Sequence, residues 1–260
     1  MKVALVQIDL VWENAVENRK NIGLKINSLN NDVDLIVLPE MFTTGYTMNA
    51  AKVAETMNGE TINWLKCCAK NKNCAITGSL VIAENNQFYN RMVFVYPDGT
   101  VLKYDKKHLF TLAGEHNIYT AGNEKIIVTF KNFKICLQIC YDLRFPAFSR
   151  NIENYDLLLY VASWPSVRIS AWNCLLQARA IENLCYTIGV NRIGTDENGL
   201  KYTGQSQAID CLGNFLLLPT DAETSECAIL QLEPQNEIRK KLKFLNDKDN
   251  FVFQKKTLLL

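Results

Sequence analysis

Apolar and polar positions follow two periods along this chain. VALVQI (3–8) has the apolar run of a buried strand. The next stretch places Ala15, Ile22, Ile26 and Leu29 on one face of a helix. DLIVLP (34–39) predicts a second strand, stopped by its proline. Ile62, Leu65 and Ala69 mark one face of a helix around 60–71. A hairpin-like series follows: AITGSLVI, FYNRMVFVY, the turn Pro97-Asp98-Gly99, and TVLKY. IIVTF and KICLQIC flank Lys131-Asn132, a second hairpin signal. DLLLYVA (156–162) is a continuous apolar strand and 169–183 a helix. CYTIGVN, SQAIDC and ECAILQL close the series, ahead of a polar tail.

Continuous apolar strands separated by helices predict sheets covered on both sides, an α/β layered architecture. No linker or composition shift divides the chain, so one domain is expected over 1–260. No Gly-x-Gly-x-x-Gly follows a strand and no phosphate-binding Gly-Lys-Ser/Thr loop is present, so neither nucleotide-binding reading is supported.

Composition narrows the function. The 260 residues are 48% hydrophobic and 21% charged, which excludes a disordered chain. With 28 basic against 27 acidic residues, the chain lacks the one-sign surplus of a nucleic-acid or membrane-surface binder. No apolar stretch approaches the ~20 residues of a membrane span. Gln7 and Asp9 interrupt the N-terminus before a signal-peptide core can form, so a cytoplasmic protein is expected. Nine irregularly spaced cysteines fit reduced thiols, and metal-ligand spacing is missing, so no metal is expected.

Three strand ends carry chemistry. DLIVLP runs into Glu40, and apolar Met41-Phe42 follows; a poorly solvated carboxylate there suits a general base. The same residue also fits a helix cap or a surface ion pair. Lys106 and Lys107 end a hairpin strand and point to opposite faces, so one can turn inward as an oxyanion or thiolate partner. The alternative is a solvated basic pair. KICLQIC ends in Cys140, where a strand turning into a helix presents a thiol beside free backbone N–H groups. Cys136 reads as a buried structural cysteine, and Cys140 is open to the same reading. A Cys–His site using His108 or His116 lacks the local signatures of such proteases.

Leu38-Pro-Glu-Met-Phe42, Tyr104-Asp-Lys-Lys-His-Leu-Phe110 and Cys140-Tyr-Asp-Leu-Arg-Phe-Pro146, in this order and separation, resemble the nitrilase superfamily of carbon–nitrogen hydrolases. Gly78-Ser79, Tyr119-x-Ala-Gly122, Ser163-Trp-Pro165 and Arg179-Ala-x-Glu-Asn183 extend the resemblance over nearly the whole chain. It implies an α-β-β-α sandwich, a Glu–Lys–Cys triad, no cofactor, and assembly as a homodimer or larger homo-oligomer. The family's Lys-x-His pattern selects Lys106 over Lys107. The resemblance thus assigns Glu40, Lys106 and Cys140, with Glu115 as a second glutamate.

Among its branches the chain is most similar to bacterial ω-amidases, which act on the terminal amide of 2-oxoglutaramate or 2-oxosuccinamate. The resemblance implies a small-molecule amide substrate and a thioester on Cys140. Tyr141 would supply an oxyanion N–H, with Phe42, Tyr46 and Trp164 as pocket walls. Arg168 is the first candidate to pair a substrate carboxylate, ahead of Arg192 and Lys201. Asp142 and Arg144 are expected to tie the elbow together without touching substrate. The rivals are an amidase of N-carbamoyl amine or ureidopropionate type, and a catalytically silent scaffold.

Overall fold

Alternation along the strands sends neighbouring side chains into different cores. In β1 (Lys2–Gln7), Val3 and Leu5 face one cluster, while Ala4 and Val6 face another. The computed structural model describes residues 1–249 and 251–253. The end of the domain expected over 1–260 lies outside them.

The first half supplies β1, helix α1 (Ala15–Ser28), β2 (Leu35–Val37), α2 (Ala50–Val53), α3 (Glu60–Lys72), β3 (Ala75–Glu84), β4 (Gln87–Val95) and β5 (Val101–Asp105). The second supplies β6 (Ile126–Phe130), β7 (Phe133–Ile139), α4 (Pro146–Ser149), β8 (Leu157–Ala162), α5 (Ile169–Asn183) and β9 (Tyr186–Asn191). A small hairpin β10 (Ile193–Thr195) and β11 (Lys201–Thr203) follows, then β12 (Gln207–Ile209), β13 (Phe215–Leu217), β14 (Thr224–Ile229) and α6 (Leu232–Leu242).

Two six-stranded sheets form, in the orders β14-β1-β2-β3-β4-β5 and β13-β12-β9-β8-β7-β6. Their facing sides share one core, in which Leu5, Val37 and Phe94 meet Leu137, Leu159 and Ile188. Ile22 and Ile26 of α1 and Ile62, Leu65 and Ala69 of α3 cover the outer face of the first sheet. Trp172, Leu176 and Ala180 of α5 cover the outer face of the second. The layers are therefore α-β-β-α, as the family resemblance implies.

The Lys131-Asn132 hairpin takes left-handed φ angles of 48° and 65°, which lets two residues join β6 to β7. The segment after β14 is not merely a polar tail but includes α6. Its docking is polar, which is why no apolar stripe announces it. Gln235 accepts the Tyr186 N–H at 3.0 Å, and Arg239 donates to Asp156 Oδ1 at 2.8 Å. No helix among the described residues is long and apolar enough to cross a membrane.

Candidate active site

Four chain segments converge at the ends of the two sheets. Glu40 lies just beyond β2, Lys106 directly after β5, Cys140 directly after β7 and Ser163 directly after β8. Gly78 makes the first of these possible: a Cβ there would sit 2.8 Å from Leu38 Cβ and 2.9 Å from Phe42. Ser79 then accepts the Met41 N–H on its hydroxyl at 2.9 Å and the Phe42 N–H on its carbonyl at 3.1 Å. That fixes the turn bearing Glu40.

Glu40, Lys106 and Glu115 are all buried. The Lys106 ammonium donates to Glu40 Oε1 at 2.9 Å and to Glu115 Oε1 and Oε2 at 3.0 and 2.9 Å. Burial alone would lower the Lys106 pKa, but the Glu115 and Glu40 carboxylates outweigh it and hold it well above 10.5. Glu40 Oε2 accepts the Ser163 N–H at 2.8 Å. The Glu40 carboxylate is close enough for its charge to act on the Cys140 thiol. Burial, and next the Glu40 charge, push the thiol well above 9, with Lys106 pulling the other way. Cys140 therefore rests as a thiol, so an attack by its sulfur would require proton transfer to a base. Glu40 is the carboxylate whose charge acts on it.

The elbow is held from beneath. Cys140 has φ of 44°, in the left-handed region, and opens a 3₁₀ turn over Cys140–Arg144. Buried Asp142 ties this turn: it accepts from the Ile139 N–H at 3.0 Å, the Tyr104 hydroxyl at 2.6 Å and the His108 N–H at 2.9 Å. His108 Nδ1 lies 2.8 Å from the same carboxylate, and its ring stacks on Phe145 at 3.8 Å. His108 thus supports the elbow. Arg179 adds a bond from Nη2 to the Leu143 carbonyl at 2.6 Å.

The sequence model of the family described as Carbon-nitrogen hydrolase matches residues 2–239. The chain belongs to the carbon–nitrogen hydrolase family. It is 43% identical over 255 residues to Omega-amidase YafV of Yersinia enterocolitica, covering 97% of this chain and 98% of that one. It is 32% identical over 250 residues to the 2-oxoglutaramate amidase of Bacillus subtilis, covering 94% and 96%. Its fold matches a CN-hydrolase superfamily protein of Xanthomonas campestris with a TM-score of 0.96 and 39% identity, covering 98% and 99%. That crystal structure carries an arsenic adduct in its active site. The chain is a hydrolase of carbon–nitrogen bonds other than peptide bonds.

In this carbon–nitrogen hydrolase a cleft opens onto Cys140 and Lys106. Tyr46, Phe110, Tyr141 and Trp164 wall it. Lys106 Nζ lies 5.3 Å from the Tyr46 ring centre. Tyr141 follows Cys140 in the 3₁₀ turn, so its N–H is one the turn's own ladder leaves free. Arg168 lines the cleft, with its guanidinium 5.2 Å from the Phe110 ring centre.

Three expectations need correction. Phe42 does not line the cleft: it packs in the outer core with Leu38, 6.4 Å from the Trp64 ring, because the turn after Glu40 folds inward over Gly78. Arg144 is not an elbow tie but an exposed cleft residue, its guanidinium 5.0 Å from the Trp164 ring centre. Arg192 is buried behind the cleft, bonded to Asp9 at 2.7 Å, and exposed Lys201 does not line the cleft. Glu115 does not line it either.

Sequence reasoning missed Asn90. It is fully buried in β4 and donates from Nδ2 to Glu40 Oε1 at 2.7 Å and Glu115 Oε1 at 3.3 Å. Its signal was the polar pair Asn90-Arg91 interrupting FYNRMVFVY. Among the described residues, no group of three or more His, Cys, Asp or Glu could hold a metal ion.

Proposed function

We propose that the protein is an ω-amidase that releases ammonia from the terminal amide of a short 2-oxo acid, 2-oxoglutaramate or 2-oxosuccinamate, through a thioester on Cys140. The observation that carries this reading is a pair of guanidiniums in the cleft. Arg144 and Arg168 both line it over aromatic rings, and among the described residues neither has an acidic partner. Cations left unpaired beside a nucleophile suit a substrate that brings its own carboxylate. The names of the Yersinia and Bacillus relatives support the same substrate class. Glutamine carries an ammonium where the 2-oxo acid has a carbonyl, and two guanidiniums disfavour it.

The chemistry follows from the contacts. Glu40 takes the thiol proton as the Cys140 sulfur bonds to the amide carbon, and the carbonyl oxygen becomes an oxyanion held by Lys106 and the Tyr141 N–H. As the oxyanion collapses, the carbon–nitrogen bond breaks and the proton on Glu40 passes to the nitrogen, freeing ammonia and leaving a thioester. Water then gives a proton to Glu40 and its oxygen to the acyl carbon. The sulfur leaves as thiolate and regains that proton. Glu115, pinned on Lys106 and outside the cleft lining, balances the ammonium and does not reach the substrate.

We also place the enzyme in the cytoplasm as a homo-oligomer. Nine unpaired cysteines support a reducing compartment, and the family resemblance supports the assembly.

The test is ammonia release from 2-oxoglutaramate, with glutamine alongside and Cys140→Ala as blank. Release from the keto-amide and little from glutamine is expected. Arg144→Ala and Arg168→Ala should each raise KM for 2-oxoglutaramate about tenfold, with kcat little changed and no effect on an uncharged amide. Unchanged KM in both variants, or faster turnover of N-carbamoyl compounds, would refute the substrate assignment.

A further inference from the structure

We infer that Asn90 is a positioning residue for proton transfer: by filling one side of Glu40 Oε1 it leaves Oε2 as the single oxygen that exchanges protons with Cys140 and the leaving group. This rests on the Glu40 shuttle proposed above, and deepens it.

An ionised carboxylate offers about four acceptor positions, two on each oxygen. On Glu40 Oε1 both are occupied by donors, Asn90 Nδ2 at 2.7 Å and Lys106 Nζ at 2.9 Å. A proton placed there would point at N–H groups. Oε2 has one fixed donor, the Ser163 N–H at 2.8 Å, which leaves its second position for the shuttled proton. The charge of this carboxylate acts on the Cys140 thiol, which places the two groups close together.

Lys106 cannot hold Oε1 alone. Its ammonium also serves Glu115, and the reaction asks it to turn toward an oxyanion. Asn90 keeps a donor on Oε1 when Lys106 turns away. Being neutral, it does so without adding a second cation that would weaken the base. The amide orientation is dictated by its neighbours, because a carbonyl oxygen facing two carboxylates would be repelled. Asn90 Oδ1 is itself buried without a partner among the described residues. A buried acceptor left unmatched is unfavourable, so the donor side is what the position provides. The backbone contributes as well: Asn90 O accepts the Lys106 N–H at 3.0 Å, tying strand β4 to the triad lysine.

The charged and titratable groups around Glu40 come from every neighbouring element: Lys106, Glu115, Cys140, Tyr46, Tyr119 and Tyr202. Of these, Glu115 also loses a bond when Asn90 is changed, the longer one at 3.3 Å to its Oε1.

The test compares Asn90→Leu and the near-isosteric Asn90→Asp, with Asn90→Ser in reserve should the leucine variant fail to fold. Two pH profiles are read for each: kcat/KM, and the rate of Cys140 alkylation by iodoacetamide followed on the mapped peptide. Asn90→Leu should lose about tenfold to a hundredfold in kcat, with KM within about threefold. The acidic limb of both profiles should move to higher pH, because losing a hydrogen-bond donor disfavours the charged form of a carboxylate. Asn90→Asp should fall further, because it sets a third carboxylate against two. Unmoved limbs, or activity lost only in step with a lowered melting temperature, overturn the inference. A wild-type enzyme silent toward 2-oxoglutaramate whose Cys140 alkylation still shows the Asn90-dependent limb overturns the substrate reading and leaves this one standing.

Discussion

Replacing Asp142 by Asn tests whether the elbow under Cys140 depends on a carboxylate. The contacts divide between its two oxygens. Oδ1 takes the His108 N–H at 2.9 Å and faces His108 Nδ1 at 2.8 Å. Oδ2 takes the Ile139 N–H at 3.0 Å and the Tyr104 hydroxyl at 2.6 Å. An asparagine must put its NH2 group at one of these places. At Oδ2 the Tyr104 hydroxyl can rotate to accept, but the Ile139 N–H cannot. At Oδ1 the His108 ring can present an unprotonated nitrogen, but the His108 backbone N–H cannot. Either way one backbone donor loses its acceptor, which costs about 2 kcal/mol. For a chain of this size that lowers Tm by roughly 4–8 °C. The orphaned N–H also removes a tie on Cys140, whose left-handed φ of 44° depends on its surroundings. Displacement of a nucleophile by about 1 Å can lower kcat about a hundredfold. Thermal denaturation and steady-state kinetics on one preparation measure both. A variant with Tm within about 1 °C of wild type and unchanged kcat would refute the accounting.

Two further outcomes follow from the charges. Glu115→Gln puts an amide against the Lys106 ammonium, and kcat should fall about 10²–10³-fold, comparable to loss of an oxyanion donor; activity within threefold of wild type in a kinetic assay would show that Glu40 alone suffices to place Lys106. Hydrogen bonds from Arg91 and Lys103 hold the Glu84 carboxyl down at about 2, below its ordinary 4.5, so its stabilising contribution is present above pH 4.5 and is lost as pH falls toward 2. Glu84→Gln should remove about 1 kcal/mol of that acid dependence, a figure discounted for solvent screening, and urea unfolding at pH 6 and pH 3 would show it.

The α/β layering was legible because apolar strand runs and helical periods are local signals, whereas the α-β-β-α sandwich came only with the family resemblance. Val3 and Leu5 against Ala4 and Val6 can be assigned to two cores from sequence position alone. Glu40, the Lys106-Lys107 pair and Cys140 stood out as candidates because each ends a strand, where the apolar pattern breaks abruptly into chemistry, and the family resemblance then chose Lys106 and joined the three. Asn90 did not stand out, because it sits mid-strand. Its neighbours suggest a pleat facing solvent or core, and only the packing of Glu40 and Glu115 against β4 makes it a donor to both. Phe42 and Arg144 were misplaced for a related reason. Adjacency to a catalytic residue in sequence says little about direction once the chain turns. After Glu40 the turn carries Phe42 back over Gly78, and after Cys140 the 3₁₀ turn swings Arg144 outward onto Trp164. Helix α6 escaped detection because it is anchored by Gln235 and Arg239, while periodicity finds only apolar anchors.

These observations bear on why the site needs both sheets. Glu40 and Lys106 follow strands of the first sheet, and Cys140 and Ser163 follow strands of the second. The Ser163 N–H to Glu40 bond spans 123 residues of sequence, and the Tyr104–Asp142 bond spans 38 while crossing between the sheets. The proposed base Glu40 and nucleophile Cys140 therefore meet only when the shared core of Leu5, Val37, Phe94, Leu137 and Leu159 has closed. The large unfavourable term in such a site is the burial of two carboxylates and an ammonium. It is offset by bonds from both halves: Asn90 and Phe110 N–H from the first half of the chain, and Ser163 N–H from the second. A half-formed sandwich would leave those charges partly unpaired. The proposed catalytic cluster thus depends on the same sheet-on-sheet packing that closes the core.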